Sequence, residues 1–121
     1  MTSENIVLPR DTALVRRTLR SGQRVISRCN VVVLGDVNPG AEIVADGHVV
    51  VLGVLRGVVH AGARGDCGAT VTALSLLPTQ IRIASHITRP PDGSKPPEAC
   101  EPEVASLKDG EVVIEKYVFG K

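Results

Sequence analysis

Apolar and polar positions along this chain fall into short runs that repeat. Val31-Val32-Val33-Leu34-Gly35 recurs as Val49-Val50-Val51-Leu52-Gly53, a step of 18 residues from Val31 to Val49. Each copy is followed by a second strand-like run, Gly40-Ala41-Glu42-Ile43-Val44-Ala45-Asp46-Gly47 and then Val58-Val59-His60-Ala61-Gly62-Ala63-Arg64-Gly65. Two such runs per fixed period, broken by glycine corners, predict an all-β coil in which each repeat is one turn stacked on the last. With rungs ~4.8 Å apart, three to four turns make a stubby prism roughly 15–20 Å tall.

Extending the period sorts the faces, because successive strand residues point to opposite sides. Steps of 18 align Val25, Ile43 and Ala61, and a step of 20 reaches Ile81. The same 20 carries Val51 to Val71, so two extra residues are expected within the glycine-rich stretch 65–69. Ser27, Ala45, Ala63 and Ile83 form a second inward column. The alternate positions are polar: Arg24, Glu42, His60 and Gln80, then Arg28, Asp46 and Arg64. That side is expected to face water, with opposite charges stacked between rungs.

The valine-rich side differs. Val31, Val33 and Gly35 stack on Val49, Val51 and Gly53, then on Ala69, Val71 and Ala73, and point inward. The alternate residues Val32, Leu34, Val50, Leu52 and Val54 are apolar as well. A coil buries one face of each strand, so this outer strip calls for a partner. The C-terminal tail is one candidate cover. A second copy is favoured, since a flat strip is self-complementary about a twofold axis.

Residues 1–19 hold no clear period and read as a lead-in, with 20–88 forming the coil. Residues 89–103 carry five prolines and read as an extended connector. In 104–121, Asp109-Gly110 sits between two apolar-alternating runs, a strong hairpin signal. That hairpin is expected to cap an open end of the coil.

Composition narrows the function classes. Aromatics make up 2% of the 121 residues, so Val, Ile, Leu and Ala must fill the interior. The net charge of +1 and the scarcity of stacking aromatics argue against a nucleic-acid binder. Cys29, Cys67 and Cys100 form neither a disulfide framework nor a metal knuckle, consistent with a reducing cytoplasm. His48, His60 and His86 lack ligand spacing, so no metal site is expected. The Gly62–Gly68 stretch lacks the Lys-Ser/Thr ending of a phosphate loop and reads as a coil corner. No nucleophile–base pair is visible, and the chain reads as a non-enzyme with no catalytic residue and no cofactor of its own.

One corner stands out. Steps of 18 take Arg20 to Asn38 and Arg56, and Gly22 to Gly40. Arg20-Ser21-Gly22-Gln23, Asn38-Pro39-Gly40 and Arg56-Gly57 therefore line one edge. Glycines admit a second backbone, and arginines offer forked donors to carboxylates.

At these residues the chain resembles a known family. Arg20-Ser21-Gly22-Gln23, Gly40 to Gly47, Gly53-Val54-Leu55-Arg56-Gly57, Ala61-Gly62-Ala63 and Gly65-Asp66 occur in order, as in the C-terminal domain of the septum-site determining MinC family. The resemblance runs from about Thr12 to Ile87, and Pro102 to Ala105 with Lys108 to Glu111 fits that domain's final segment. It implies a right-handed β-helix of triangular section that dimerises through one sheet. It also implies a cytoplasmic adaptor that binds the membrane ATPase MinD, with ATP on MinD, and reaches the inner membrane only through it. The family blocks FtsZ rings away from midcell. Its MinD-binding motif matches Arg20, Ser21, Gly22 and Gln23 here, with Gly40 beside it. Family members usually carry a separate N-terminal domain that acts on FtsZ, and about 19 residues precede the motif here, too few to form it. MinD recruitment, dimerisation and a weaker FtsZ contact are therefore the expected activities of these residues.

Two other classes compete. A structural β-helix polymerising end to end, as bactofilin-like scaffolds do, would need uncapped ends. A left-handed acyltransferase coil would need a sustained hexapeptide rhythm, which is not kept.

Overall fold

The computed structural model describes residues 11–88 and 101–118, and its eleven elements are all β. The first eight strands are β1 (Thr12–Val15), β2 (Arg24–Ser27), β3 (Asn30–Val33), β4 (Glu42–Ala45), β5 (Val49–Leu55), β6 (Val58–Ala61), β7 (Val71–Leu76) and β8 (Gln80–Ile83). The last three are β9 (His86–Thr88), β10 (Glu103–Lys108) and β11 (Glu111–Lys116). Odd strands β1-β3-β5-β7 stack in parallel to form one wall, continued by β10 and β11. Even strands β2-β4-β6-β8 form a second wall, continued by β9. A narrow third wall is held by the parallel bridges Leu19↔Val37 and Val37↔Leu55. Four rungs of three sides make the expected β-helix.

Thr12–Val15 lies within the segment expected as a lead-in, and here it is the first strand. It pairs Thr12 with Asn30, the same step of 18, and Leu19 is buried in the core.

The interior is filled by columns of apolar residues stacked from rung to rung. Val31, Val49 and Val71 stack on the first wall, with Val33, Val51 and Ala73 beside them. Ile43, Val59 and Ile81 stack on the second wall, and Leu19, Val37, Leu55 and Leu76 line the third. All are at most 3% exposed, so small branched side chains close this narrow section without an aromatic residue.

The register corrects the expected columns. Ile43 pairs with Val59, a step of 16, and Val59 with Ile81, a step of 22. Ala61 therefore stacks between Ala45 and Ile83, and His60 sits between Val44 and Arg82 while Val58 takes the place expected for it. On the first wall Val49 meets Val71 and Val51 meets Ala73, two residues away from the expected match. Two corners explain this. The third corner uses Arg56-Gly57 where the two rungs before use Arg20 to Gln23 and Asn38 to Ala41. Gly57 makes the tight turn possible, because a Cβ there would strike the Ala41 and Asn38 carbonyl oxygens. The corner after β6 then uses nine residues (62–70) where the rung before uses three (46–48). The insertion is six residues rather than two. The stacked charges do form: Arg24 Nε lies 2.9 Å from Glu42, and Arg64 Nε 3.4 Å from Asp46.

The coil ends where strand direction reverses. β9 folds back antiparallel on β8, and β10 runs antiparallel on β7 with Glu103 opposite Ala73. Asp109 and Gly110 both adopt positive φ, 54° and 78°, as the type I′ turn between β10 and β11 demands. Leu107, Val112 and Ile114 pack against the core, and Lys108 and Glu115 pair across the hairpin. Of the expected proline-rich connector, residues 89–100 lie outside the described residues.

Candidate functional site

The bridges on the third wall place Leu19, Val37 and Leu55 directly above one another, so the residues that follow them also line up. Arg20, Asn38 and Arg56 thus form one edge, as the period predicted. Arg20 and Arg56 are exposed and Asn38 is half-buried.

The edge is built by turns that nest. Gln23 N–H donates to the Arg20 carbonyl at 2.9 Å, and Ala41 N–H donates to the Asn38 carbonyl at 3.0 Å. Gly22 N–H reaches up to the Gly40 carbonyl at 3.0 Å and joins the two turns. Gly22 and Gly40 share a φ of +88°, a conformation that favours glycine. Gly40 has a further constraint, since a Cβ there would collide with Ser21 Oγ. The Gln23 side chain folds back over the turn, its Oε1 accepting the Arg20 N–H at 2.8 Å. Gln23 therefore shapes the loop while Arg20 projects from it.

Arg17 and Thr18 were not singled out by sequence reasoning, yet with Arg20 and Gln23 they line a cleft of about 400 Å³. The period carries a signal for Thr18. Thr18, Asp36 and Val54 are 18 apart, and Thr18 Oγ1 accepts the Asp36 N–H at 3.1 Å. Nothing in the repeat pattern marks Arg17.

The apolar strip lies on the outer face of the first wall. Val32 pairs with Val50, while Leu34 and Leu52 are 42% and 47% exposed. Val54 is half-buried and follows a register shift after Val51. The structure adds Leu14 at one end and Leu74 at the other, 50% and 43% exposed. Leu14 is 18 residues before Val32 and was legible from the period; Leu74 was hidden by the shift to 22. The hairpin continues this sheet beyond β7, at the end of the stack, and leaves Leu34 and Leu52 exposed, although Pro102 and Tyr117 border a groove of about 200 Å³ with Leu52 and Leu74.

Cys29 and Cys67 are free thiols. Among the described residues no three His, Cys, Asp or Glu side chains converge as metal ligands, and no helix is long and apolar enough to cross a membrane.

The family model for the septum formation inhibitor MinC, C-terminal domain, matches residues 13–117. The chain belongs to the MinC C-terminal domain family. It is 59% identical over 110 residues to the probable septum site-determining protein MinC of Heliobacterium modesticaldum, covering 90% of this chain and 37% of the relative. It is 55% identical over 107 residues to that of Acetivibrio thermocellus, covering 88% and 47%. The chain thus spans less than half the length of these MinC relatives. Among solved structures it matches a chain of the MinC:MinD cell division protein complex of Aquifex aeolicus. That match has a TM-score of 0.82 and 35% identity, and covers 92% of this chain and 89% of that one.

Proposed function

We propose that this MinC-type domain is a non-enzymatic, dimeric adaptor that binds MinD. The observation that carries the reading is the Arg20 corner, whose three nested turns project two arginines over a glycine-smoothed surface. A partner backbone can approach Gly22 and Gly40 closely, and the guanidinium groups of Arg20 and Arg56 suit acidic residues on it. The Aquifex aeolicus complex, in which a chain of this fold sits with MinD, supports that partner. The apolar strip of Val32, Leu34, Val50, Leu52 and Val54 supplies the homodimer contact. In this reading the domain is cytoplasmic, and MinD, which holds the ATP, carries it to the inner membrane face. It thereby helps to block FtsZ assembly away from midcell and makes a weaker FtsZ contact of its own. End-to-end polymerisation is disfavoured, because β9 and the β10–β11 hairpin cover one end of the coil with antiparallel strands.

The test is co-sedimentation with ATP-loaded MinD on lipid vesicles. Wild type is expected in the pellet and Arg20→Ala in the supernatant. Equal recruitment of both removes the role of Arg20, and absence of wild type from the pellet overturns the reading.

A further inference from the structure

The first rung carries a cleft that the MinD reading uses only in part. Arg17, Thr18, Arg20 and Gln23 line it, and its volume is about 400 Å³. The backbone beneath it is fixed. Leu34 N–H donates to the Val15 carbonyl at 2.8 Å and Leu19 N–H to the Asp36 carbonyl at 2.9 Å, on either side of Arg17 and Thr18. Between those bonds the chain rests on Gly35, where a Cβ would come within 2.8 Å of the Arg17 carbonyl carbon and the Thr18 nitrogen.

What the lining side chains offer is one-sided. Thr18 Oγ1 accepts the Asp36 N–H, so its hydroxyl proton is left to donate. Gln23 Oε1 accepts the Arg20 N–H, so its amide nitrogen is left to donate. Arg17 and Arg20 are exposed guanidinium groups, which hold donors only. Among the described residues neither forms an ion pair, whereas Arg24 and Arg64 are matched to Glu42 and Asp46. None of the lining residues carries a carboxylate. Four donor groups, two of them positively charged, thus border one space with no negative charge among them.

We infer that this cleft binds a phosphate group. A carboxylate is matched by one guanidinium fork, while a phosphate offers several oxygens and takes donors from several sides at once. A volume of about 400 Å³ falls within the roughly 300–1,000 Å³ of small-molecule sites, with room for the phosphate and part of the group that carries it. Nucleic acid is a poor occupant, because the charge is confined to one cleft on a chain of net charge +1. An anionic lipid headgroup and a soluble phosphate ester share the chemistry that the cleft recognises. Arg20 belongs both to this cleft and to the proposed MinD corner, so phosphate and MinD exclude one another there. That exclusion rests on the MinD reading; the site itself does not.

The experiment is an amide NMR titration of the full chain with inorganic phosphate, against sodium chloride at equal ionic strength. Saturable shifts are expected at Thr18, Arg20 and the Gln23 side-chain amide. Affinity is expected to fall on the order of tenfold for Arg17→Gln, and less for Arg17→Lys, which keeps the charge but not the fork. Absence of saturation, shifts spread over the other arginines, or equal affinity for Arg17→Gln overturns the inference. Vesicles tell the two sources apart. Sedimentation of the chain alone with phosphatidylglycerol but not with phosphatidylcholine, lost in Arg17→Gln, assigns a lipid headgroup. No sedimentation beside an intact phosphate titration assigns a soluble phosphate. In the MinD assay, phosphate is expected to lower recruitment of wild type more than that of Arg17→Gln. Equal lowering overturns the exclusion alone, and a wild type that binds phosphate yet never joins MinD overturns the MinD reading alone.

Discussion

Asp36 Oδ1 accepts the backbone N–H of Val54 at 2.8 Å, across one full turn of the coil. Thr18 does the same for Asp36, Asn30 for His48 at 2.8 Å, and His48 Nδ1 for Thr70 at 3.0 Å. At two corners, then, a side chain of one rung takes up the backbone donor of the next. Corners interrupt the strand ladder and would leave those donors without a partner. The polar residues at 18, 30, 36 and 48 replace the missing carbonyls.

This makes Asp36 a stability residue. Asp36→Ala is expected to cost about 1–2 kcal/mol by leaving Val54 N–H unpaired, while Asp36→Asn keeps the acceptor and costs less. Urea unfolding checks this, with the midpoint falling at constant slope.

Gly40 and Gly22 share a φ of +88° but differ in their surroundings, since nothing lies within 4 Å of a Cβ at Gly22. Gly22→Ala therefore meets backbone strain alone, about 1 kcal/mol. Gly40→Ala adds a collision with Ser21 and is expected to cost more and to weaken MinD recruitment. Ser21→Gly in the Gly40→Ala background is expected to recover part of the stability. Thermal unfolding of the two singles and the double variant measures the coupling.

The strip prediction concerns association. Leu52→Glu and Val50→Glu place a charge in the proposed dimer contact and are expected to yield folded monomers. Light scattering gives the mass, and circular dichroism confirms the fold. A dimer retained by both variants moves the contact elsewhere.

The corrected register has its own consequence. Val59, not Ala61, stacks on Ile43 and Ile81. Val59→Ala should leave a void in the middle of the second wall and cost about 2 kcal/mol. Ala61→Gly removes a smaller group and is expected to cost about half of that, largely through backbone freedom. Denaturant midpoints of the two variants rank them.

The Arg20 corner was legible because Leu19, Val37 and Leu55 obey the period, so the turns that follow them must coincide. Arg17 was not, since it owes its place in the cleft to the path of the chain rather than to any repeat. Arg82 was placed in no column, because its neighbours depend on the step of 22.

The chain's own pattern determined that this is a coil of small apolar rungs with one apolar outer strip. Like strings 18 residues apart must take like positions, and alternation assigns inside and outside whatever the register. Tertiary structure decided which rung residues meet. Register is set by backbone pairing between turns, and the number of residues consumed at a corner depends on how tightly the chain can bend there. Gly57 bends against the Ala41 carbonyl in two residues, and residues 62–70 take nine. Those two corner lengths moved His60 next to Arg82 and brought Leu74 to the strip, which counting along the chain does not reveal.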